Sequence, residues 1–389
     1  MKYLYVLTSN DKDLYYEQIY LSISSLLLYN SNACITLLTD DKTFKNLKGH
    51  RGDVLHLVQE IKVIKLPNKW NQKVRSRLIK TNMRNLVDGD FLYLDCDTIV
   101  LSPINIPSVW EFNIGAVKNL HFSNVQESPI YPIFHCFAKS CGINTDSPSY
   151  FNSGVLYVKD NHETREFFSQ WQNLYLYYLE NNSIEVDQVS LYKVNNDFDG
   201  LIKEIPGEWN WQVGFGMNYM CKAKIMHTFS SVSNQLHNIH FLKRKDFYLN
   251  MKKRMYSDLE LTNIIKNAKT SFDEKLRIIP VKDTSKFTNK SVAEFCMRYK
   301  NIIVYGTEDY FFRISCLFQE IETNNIVGFI PSEQNTQKHS FMNWPFLDFD
   351  DLHYPKQEVG IILAMNIQDM NHLLPSLIER GFTNLCIYI

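Results

Sequence analysis

Two periodicities alternate along the first hundred residues of the chain. Apolar runs that predict strands lie at residues 2–8, 33–41, 63–67 and 91–94. Apolar positions at helical spacing lie at 13–30 and 73–86, the second with a basic polar face. Strands that alternate with helices in this way predict an α/β domain with a largely parallel central sheet flanked by helices.

A second alternation of this kind begins near residue 300. Residues 301–321 predict a strand, a glycine turn and a helix. Further strands are predicted at 325–332, 358–366 and 384–389, and a further helix at 370–381. These units predict a small Rossmann-like α/β module. Its first strand is followed by a single glycine, Gly306, whereas dinucleotide-binding loops carry three glycines, which argues against an NAD site. We therefore divide the chain into residues 1–242, a charged helical flank at 243–295 and the module at 296–389.

Composition narrows the function classes. The formal net charge is -1, so no global basic field favours nucleic acid as a partner. The N-terminus lacks the long apolar core of a signal peptide, and no apolar run is long enough to span a membrane. The eight cysteines contain no C-x-x-C pair and are interpreted as reduced thiols of a cytoplasmic protein. Residues 240–255 interleave basic and apolar positions, which fits either a solvated helix or peripheral membrane contact.

The stretch FLYLDCDTIVL at 91–101 carries the candidate chemistry. Asp95 and Asp97 interrupt an apolar run at the predicted end of a buried strand, where ligands of parallel sheets bind. Two carboxylates one residue apart can hold one hard cation such as Mn²⁺ or Mg²⁺. Without a cation, their burial would cost several kcal/mol per charge. The alternative is an exposed turn in which both aspartates cap the next segment.

Three further stretches bear on that alternative. Arg77 and Lys80 lie on one face of the predicted helix at 73–86. This face either binds a phosphate and a carboxylate or is simply exposed to solvent. Residues 152–154, Asn-Ser-Gly, precede a predicted apolar strand. They are either a ligand-binding segment, in which the asparagine amide binds hydroxyl groups, or a plain turn. Asp187 and Gln188 open a helix, where Asp187 is either a site residue or an N-cap.

Taken in order, these elements over residues 1–240 resemble the family-eight glycosyltransferases of the GT-A fold. That family contains retaining transferases such as bacterial lipopolysaccharide galactosyl- and glucosyltransferases and glycogenin. The resemblance implies that Asp95 and Asp97 bind Mn²⁺ or Mg²⁺ together with the diphosphate of a UDP-sugar, and that Asp187 and Gln188 lie at the reacting sugar. The resemblance implies nucleotide and donor contacts at Thr8, Asn10, Asp40, Arg77, Asn152, Ser153 and Gly154. Lys80 joins this set because it lies on the same helix face as Arg77.

A later histidine completes the metal shell in that family, and His227 matches it best, with His237 and His240 as alternatives. The family continues from its histidine to a Lys-Pro-Trp that holds the diphosphate. This chain instead reads HTFSSVSNQLH and has no such lysine. Trp209 and Asn210 are interpreted as structural support for the site, since the family has a similar Trp-Asn there.

The implied activity is transfer of a hexose from a UDP-sugar to a hydroxyl of a glycan or lipid-linked glycan of the bacterial surface, such as lipopolysaccharide or capsule, with retention. The expected location is cytoplasmic, with at most peripheral contact at the inner face of the membrane. A homo-oligomer is an open alternative. The C-terminal module resembles degenerate Rossmann-like modules of bacterial polysaccharide glycosyltransferases. Its expected role is assembly, acceptor delivery or regulation, or it is a passive structural appendage.

Three other functions are alternatives that the sequence fits less well. A sugar-nucleotide or glycan-binding protein with a disabled transferase site is kept open by the missing lysine. A nucleotidyltransferase would need a glycine-rich phosphate loop near the N-terminus, where LTSNDKDLYYEQ has no glycine. A glycoside hydrolase would need two carboxylates flanking the scissile bond but no adjacent metal-binding pair.

Overall fold

The first hundred residues fold in the predicted order in a computed structural model of the chain. The residues it describes are 1–128, 130–213, 219, 222–229, 240–270, 289–307, 310–311, 314, 318, 325–332, 340–341, 344–365, 369, 373, 376–377 and 379–388. They form two compact units. The first comprises 1–213, 222–238 and 242–269, and the second comprises 214–221, 239–241 and 270–389.

Ten strands and nine helices are described in the first unit. The strands are β1 Lys2–Leu7, β2 Cys34–Asp40, β3 Glu60–Ile64, β4 Phe91–Leu94, β5 Thr98–Val100, β6 Ile114–Lys118, β7 Phe151–Val158, β8 Ile202–Glu204, β9 Trp211–Gln212 and β10 Ile225–His227. The helices are α1 Tyr15–Tyr29, α2 Asp41–Asn46, α3 Gln72–Thr81, α4 Met83–Leu86, α5 Tyr131–Ser140, α6 His162–Asn182, α7 Gln188–Asp197, α8 Lys245–Lys252 and α9 Asp258–Lys266.

The central sheet has the strand order β3-β2-β1-β4-β7-β6-β8. Six of its strands run in the same direction, and only β7 is antiparallel to its neighbours β4 and β6. A second, three-stranded sheet pairs β10 antiparallel with β5 and parallel with β9. The predicted α/β fold with a mostly parallel central sheet is confirmed.

Both faces of the central sheet are buried at β1, β2, β4 and β7, which explains the continuous apolar runs in these strands. Alternate residues of β1, such as Tyr5 and Leu7, pack with α1 in one core cluster. The residues between them, Leu4 and Val6, pack in a second cluster that includes side chains of α3, α4 and α6. Trp171 of α6 lies fully buried in this second cluster.

Three element boundaries differ from the predictions. Residues 152–154, predicted to precede a strand, lie inside β7, which begins at Phe151. The third strand is Glu60–Ile64 rather than 63–67, because residues 60–64 pair with β2 and Pro67 cannot donate to a ladder. The helix predicted at 73–86 is divided at Asn82, which ends α3 and precedes α4. Residues 243–269 of the predicted flank belong to the first unit, where α8 and α9 pack against α1.

The second unit contains a four-stranded parallel sheet of order β12-β11-β15-β16. Its elements are α10 Asn289–Arg298, β11 Asn301–Gly306, β12 Ile326–Pro331, β13 Ser340–Phe341, β14 Trp344–Pro345, β15 Val359–Ala364 and β16 Leu385–Tyr388. The predicted helix at 370–381 falls largely outside the described residues. Gly306 lies so close to β15 that an added Cβ would come within 1.7 Å of the Ala364 carbonyl oxygen. Close strand packing therefore explains this glycine.

Short 3-10 helices connect several of these elements. They are Gly49–His56, Asn119–His121, Val125–Glu127, Gly207–Asn210, Phe241–Lys243, Ala268–Thr270 and Lys356–Glu358. No helix among the described residues is both long and apolar enough to cross a membrane. The described cysteines are free thiols: Cys34, Cys96, Cys136, Cys141, Cys296 and Cys386.

Candidate functional site

Asp95 and Asp97 lie in the tight turn that joins β4 to β5. The Asp95 backbone N–H donates to the Gly154 carbonyl at 2.8 Å, which ties the turn to the start of β7. The Asp95 carbonyl accepts from Thr98 N at 3.2 Å and from Thr98 Oγ1 at 2.8 Å. These bonds fix the bend that an i, i+2 pair needs in order to face one ligand.

His227 is brought beside this turn by the pairing of β10 with β5. His227 lies opposite Thr98 in the ladder, and Thr228 N donates to the Asp97 carbonyl at 2.9 Å. His227 Nε2 then lies 3.2 Å from Asp97 Oδ1. One ligand atom from each of Asp95, Asp97 and His227 lies within 4.8 Å of the others, so the structure groups these three predicted residues.

The cluster suits a divalent cation in its chemistry and its fit. Carboxylate oxygens and an imidazole nitrogen are ligands for Mn²⁺ and Mg²⁺, with the imidazole favouring Mn²⁺. His227 Nδ1 is buried and has no hydrogen-bond partner in the described part of the chain. An added Cβ on Gly154 would lie 2.2 Å from His227 Cε1, so the imidazole can take this place only because residue 154 is glycine.

The pKa of Asp97 is lowered. Burial of this carboxyl group would by itself raise the pKa, but His227, through its charge and hydrogen bond, and the Lys80 ammonium group lower it more. Asp97 is therefore an anion at neutral pH, which is the form that binds a cation.

A chain of ion pairs runs from this cluster along α3. Lys80 Nζ, on a side chain only 2% exposed, lies 3.0 Å from Asp95 Oδ1 and 3.9 Å from Asp187 Oδ2. Asp187 Oδ1 in turn lies 3.0 Å from Arg77 Nε. Asp187 raises the pKa of Arg77 well above its usual range. Arg77 and Lys80 share one helix face, as predicted, and that face is directed at carboxylates.

Asp187 is at the N-cap position of α7, but its side chain makes no capping hydrogen bond. It accepts instead from Ser153 Oγ at 3.4 Å in addition to its ion pairs. Trp171 Nε1 donates to the Asp187 carbonyl at 3.1 Å and fixes the start of the helix. Gln188 follows, with Nε2 at 3.4 Å from the Phe151 carbonyl.

Asn152 is held in a buried network of amides. Its Nδ2 donates to Asn119 Oδ1 at 2.9 Å, and its Oδ1 accepts from Gly154 N and from Asn210 Nδ2, both at 2.9 Å. Asn210 thus supports the 152–154 segment, in agreement with its predicted structural role. Trp209 is buried against Trp110, with ring centroids 4.6 Å apart.

The predicted nucleotide contacts of the first two strands form a second group. Thr8 Oγ1 donates to the Gln72 carbonyl at 3.1 Å, and Asn10 Nδ2 donates to Gln72 Oε1. Asp40 caps α2 by accepting from Thr43 N at 2.6 Å and forms a buried ion pair with Arg75. These bonds link Thr8, Asn10 and Asp40 to the start of α3 or to α2 rather than to the metal cluster.

Of the two alternative histidines, His237 lies outside the described residues. Among the described residues the cluster contains His227 and not His240. His121 accepts from Gln212 N at 3.2 Å, and burial lowers its pKa to about 3. His121 and Leu120 have positive φ angles of 62° and 53°, an uncommon conformation, and both contact Gln212 of β9.

Sequence reasoning missed Tyr93, Arg75 and Gln72 as site residues. The Tyr93 hydroxyl donates to Asp95 Oδ1. Its position two residues before Asp95, on the same strand face, was a usable signal. Arg75 lies on another face of α3 from Arg77, so the pattern did not show that the two arginines bind different aspartates.

Fold and site together define an α/β protein in which Asp95, Asp97 and His227 form a cluster compatible with a divalent cation at the end of a central strand. No protein-family model and no curated protein matches the sequence. Similar solved structures include mouse xyloside xylosyltransferase 1 in its apo form, at 12% identity and a TM-score of 0.39, covering 60% of this chain and 99% of that one.

The galactosyltransferase LgtC in complex with donor and acceptor sugar analogues is similar at 15% identity and a TM-score of 0.41, covering 71% of this chain and 99% of that one. The glycosyltransferase GlyE of Streptococcus pneumoniae TIGR4 is similar at 14% identity and a TM-score of 0.41, covering 100% of this chain and 79% of that one.

Proposed function

We propose that this protein is a metal-dependent glycosyltransferase that moves a hexose from a UDP-sugar to a hydroxyl group of a bacterial surface glycan. The observation that carries the proposal is the Asp95, Asp97 and His227 cluster, with ligand atoms within 4.8 Å of one another at the end of β4. Basic groups of α3 lie directly beside it. An acidic cation site next to the buried Lys80 and the partly exposed Arg77 suits a ligand that is itself a metal-bound diphosphate.

Asp95, Asp97 and His227 would hold the cation, Mn²⁺ or Mg²⁺. When bound, it would neutralise the negative charge that develops on a departing diphosphate. Arg77 is oriented by Asp187 yet keeps a side chain 31% exposed, so its free guanidinium nitrogens can reach a phosphate oxygen. Lys80 adds a second positive charge from the same helix face. Thr8, Asn10 and Asp40 would line the nucleoside end of the donor.

The sugar end of the donor would lie near residues 152–154 and the start of α7. Both oxygens of Asp187 are engaged, Oδ1 by Arg77 and Oδ2 by Ser153. A carboxylate in that state is a poor nucleophile. We therefore propose retention by same-face attack, in which the leaving phosphate accepts the proton of the acceptor hydroxyl. Gln188 would present its amide oxygen to positive charge at the anomeric carbon, because its Nε2 faces the Phe151 carbonyl.

The acceptor would be a glycan or lipid-linked glycan, met in the cytoplasm or at the inner face of the membrane. We propose the three-part division into 1–242, 243–295 and 296–389 as a functional one, with the last part acting in assembly, acceptor delivery or regulation. Neither nucleic acid nor a dinucleotide has a role in this proposal.

Calorimetric titration of UDP tests the proposal, with Mn²⁺ and with EDTA, on the wild type and on Asp95→Ala/Asp97→Ala. We expect binding that requires Mn²⁺ and is lost in the double variant. The chain supplies a matched control, Asp88→Ala/Asp90→Ala, which removes the same D-x-D spacing from the turn before β4, where the Asp88 side chain is 86% exposed. This control should bind UDP like the wild type.

The outcomes separate the alternatives. Metal-dependent UDP binding followed by sugar release from a UDP-sugar supports the transferase. Metal-dependent binding without turnover on any of a panel of UDP-sugars indicates a sugar-nucleotide-binding protein. UDP binding that is equally strong in EDTA would contradict the metal site.

A further inference from the structure

Lys80 is a buried lysine that contacts a candidate metal ligand directly. Its Nζ lies 3.0 Å from Asp95 Oδ1 and 3.1 Å from Oδ2, so the ammonium group faces both oxygens of the carboxylate. The Tyr93 hydroxyl donates to Oδ1 as well. Nζ also lies 5.2 Å from the centroid of the Tyr93 ring. Asp95 is therefore neutralised by the protein itself in this structure.

This arrangement opposes a free cation. A divalent ion bound to Asp95 would approach a fixed positive charge that cannot move into solvent, because the Lys80 side chain is only 2% exposed. Two like charges a few ångströms apart in a buried site repel each other far more strongly than in water. With His227 in the neutral form that can bind a metal, Lys80 and Arg77 offset two of the three negative charges of Asp95, Asp97 and Asp187. One net negative charge is left for an incoming cation.

We propose that Lys80 is a built-in counter-cation that weakens binding of a free divalent ion at Asp95 and makes the ion bind together with a diphosphate. The inference rests on the proposed function, since it concerns the same site. A diphosphate brings negative charge that Lys80 can neutralise once Asp95 has turned to the metal. Metal and diphosphate then strengthen each other's binding, and the coupling is reciprocal.

The structure provides a position for the displaced ammonium group. Asp187 Oδ2 lies 3.9 Å from Lys80 Nζ, beyond a good hydrogen bond but within reach of a small side-chain movement. Lys80 can therefore exchange Asp95 for Asp187 and stay neutralised. In this way it acts as a positioning residue, because it links the metal-binding carboxylate to the carboxylate at the start of α7.

The test is the affinity for Mn²⁺ alone, measured calorimetrically without nucleotide, in the wild type and in Lys80→Met. Methionine keeps the unbranched shape and removes the charge. We expect the variant to bind Mn²⁺ at least about tenfold more tightly than the wild type, because the repulsion between the Lys80 ammonium group and the ion is removed. The enhancement of UDP affinity by Mn²⁺ should fall by a similar factor. Lys73→Met is the matched control, with the same charge change on α3 at a lysine 52% exposed, and should behave like the wild type.

A second variant covers a failure of Lys80→Met to fold. Lys80→Met/Asp187→Asn removes one positive and one negative charge, so the net charge of the buried groups equals that of the wild type. It should bind Mn²⁺ more tightly than the wild type but by a smaller factor than Lys80→Met, because the cation that contacts Asp95 is gone while the attraction of Asp187 is lost as well. Unchanged Mn²⁺ affinity in the folded variants, with metal-dependent UDP binding intact in the wild type, overturns the role of Lys80 alone. Absence of Mn²⁺ binding in every variant, with or without UDP, overturns the metal site and the proposed function together.

Discussion

Gly154 offers the sharpest steric test of the site. In Gly154→Ala, the new Cβ would lie 2.2 Å from His227 Cε1 and 2.7 Å from Nδ1. Carbon atoms in contact prefer a separation of about 3.5–4.0 Å, so the imidazole ring must move by more than about 1 Å. The third close atom, Asn152 Oδ1 at 2.9 Å, belongs to the buried amide network, and this limits movement in the other direction.

The magnitude follows from two effects. Overpacking a buried site costs about 1–3 kcal/mol of stability. A metal ligand must stay within about 0.2 Å of its ideal distance, so a shift of the size estimated for His227 removes it as a ligand. We therefore expect Gly154→Ala to fold with a lowered melting temperature and to lose at least tenfold in Mn²⁺ affinity measured in the presence of UDP.

A matched control separates the two effects. Gly115 of β6 is also crowded, because an added Cβ would lie 2.6 Å from Phe112 and 2.8 Å from Ile205. Gly115→Ala should lose stability while its Mn²⁺ and UDP affinities stay at the wild-type level. Wild-type Mn²⁺ affinity in a folded Gly154→Ala would refute the reasoning, since it would show that His227 either tolerates the contact or is not a ligand.

Two stability predictions follow from buried charges. Glu17 has two buried oxygens without hydrogen-bond partners in the described residues, and burial, opposed by Lys252 and Arg51, raises its pKa. A raised folded-state pKa means that stability is lost as pH rises from about 4.3, the unfolded value, through the folded one. Glu17→Gln should therefore raise the free energy of unfolding, measured with denaturant, by about 1–3 kcal/mol at pH 7 and by little at about pH 4. Equal increases at both pH values would show that Glu17 is solvated. Arg75→Met should cost about 3–5 kcal/mol, because it leaves Asp40 buried and unpaired, and Arg75→Met/Asp40→Asn should recover part of this loss, whereas additive losses would argue against the pair.

Patterns that depend on neighbouring residues were readable from the sequence. The strands β1, β2 and β4 followed from apolar runs because both faces of the sheet are buried, and α1 followed from its helical spacing. The placement of Asp95 and Asp97 at a strand end followed from the same run. The break at Asn82 and the displaced third strand were missed, since strand pairing and helix packing decide these boundaries.

Partners across the chain were less predictable. The sequence placed Arg77 and Lys80 on one face, but not that Lys80 would face Asp95 with its ammonium group between two carboxylates. Asp40 is predicted to meet a nucleoside, and this stays a prediction. Its N-cap bond to Thr43 is local, but its ion pair with Arg75 depends on how α3 packs on the sheet. The reversed direction of β7 follows from pairing with strands far away in sequence.

That long-range pairing also has a kinetic consequence. The hydrogen bond between Thr228 Oγ1 and the Asp97 carbonyl, 3.0 Å, closes a separation of 131 residues. Contacts so distant along the chain form late in folding, after their loop-closure entropy has been offset by other contacts. Asp97 and His227 meet only when β5 and β10 have paired, so affinity for a divalent ion should arise in the last steps of refolding. Binding of a paramagnetic ion during refolding would then report the time at which folding of the first unit is complete.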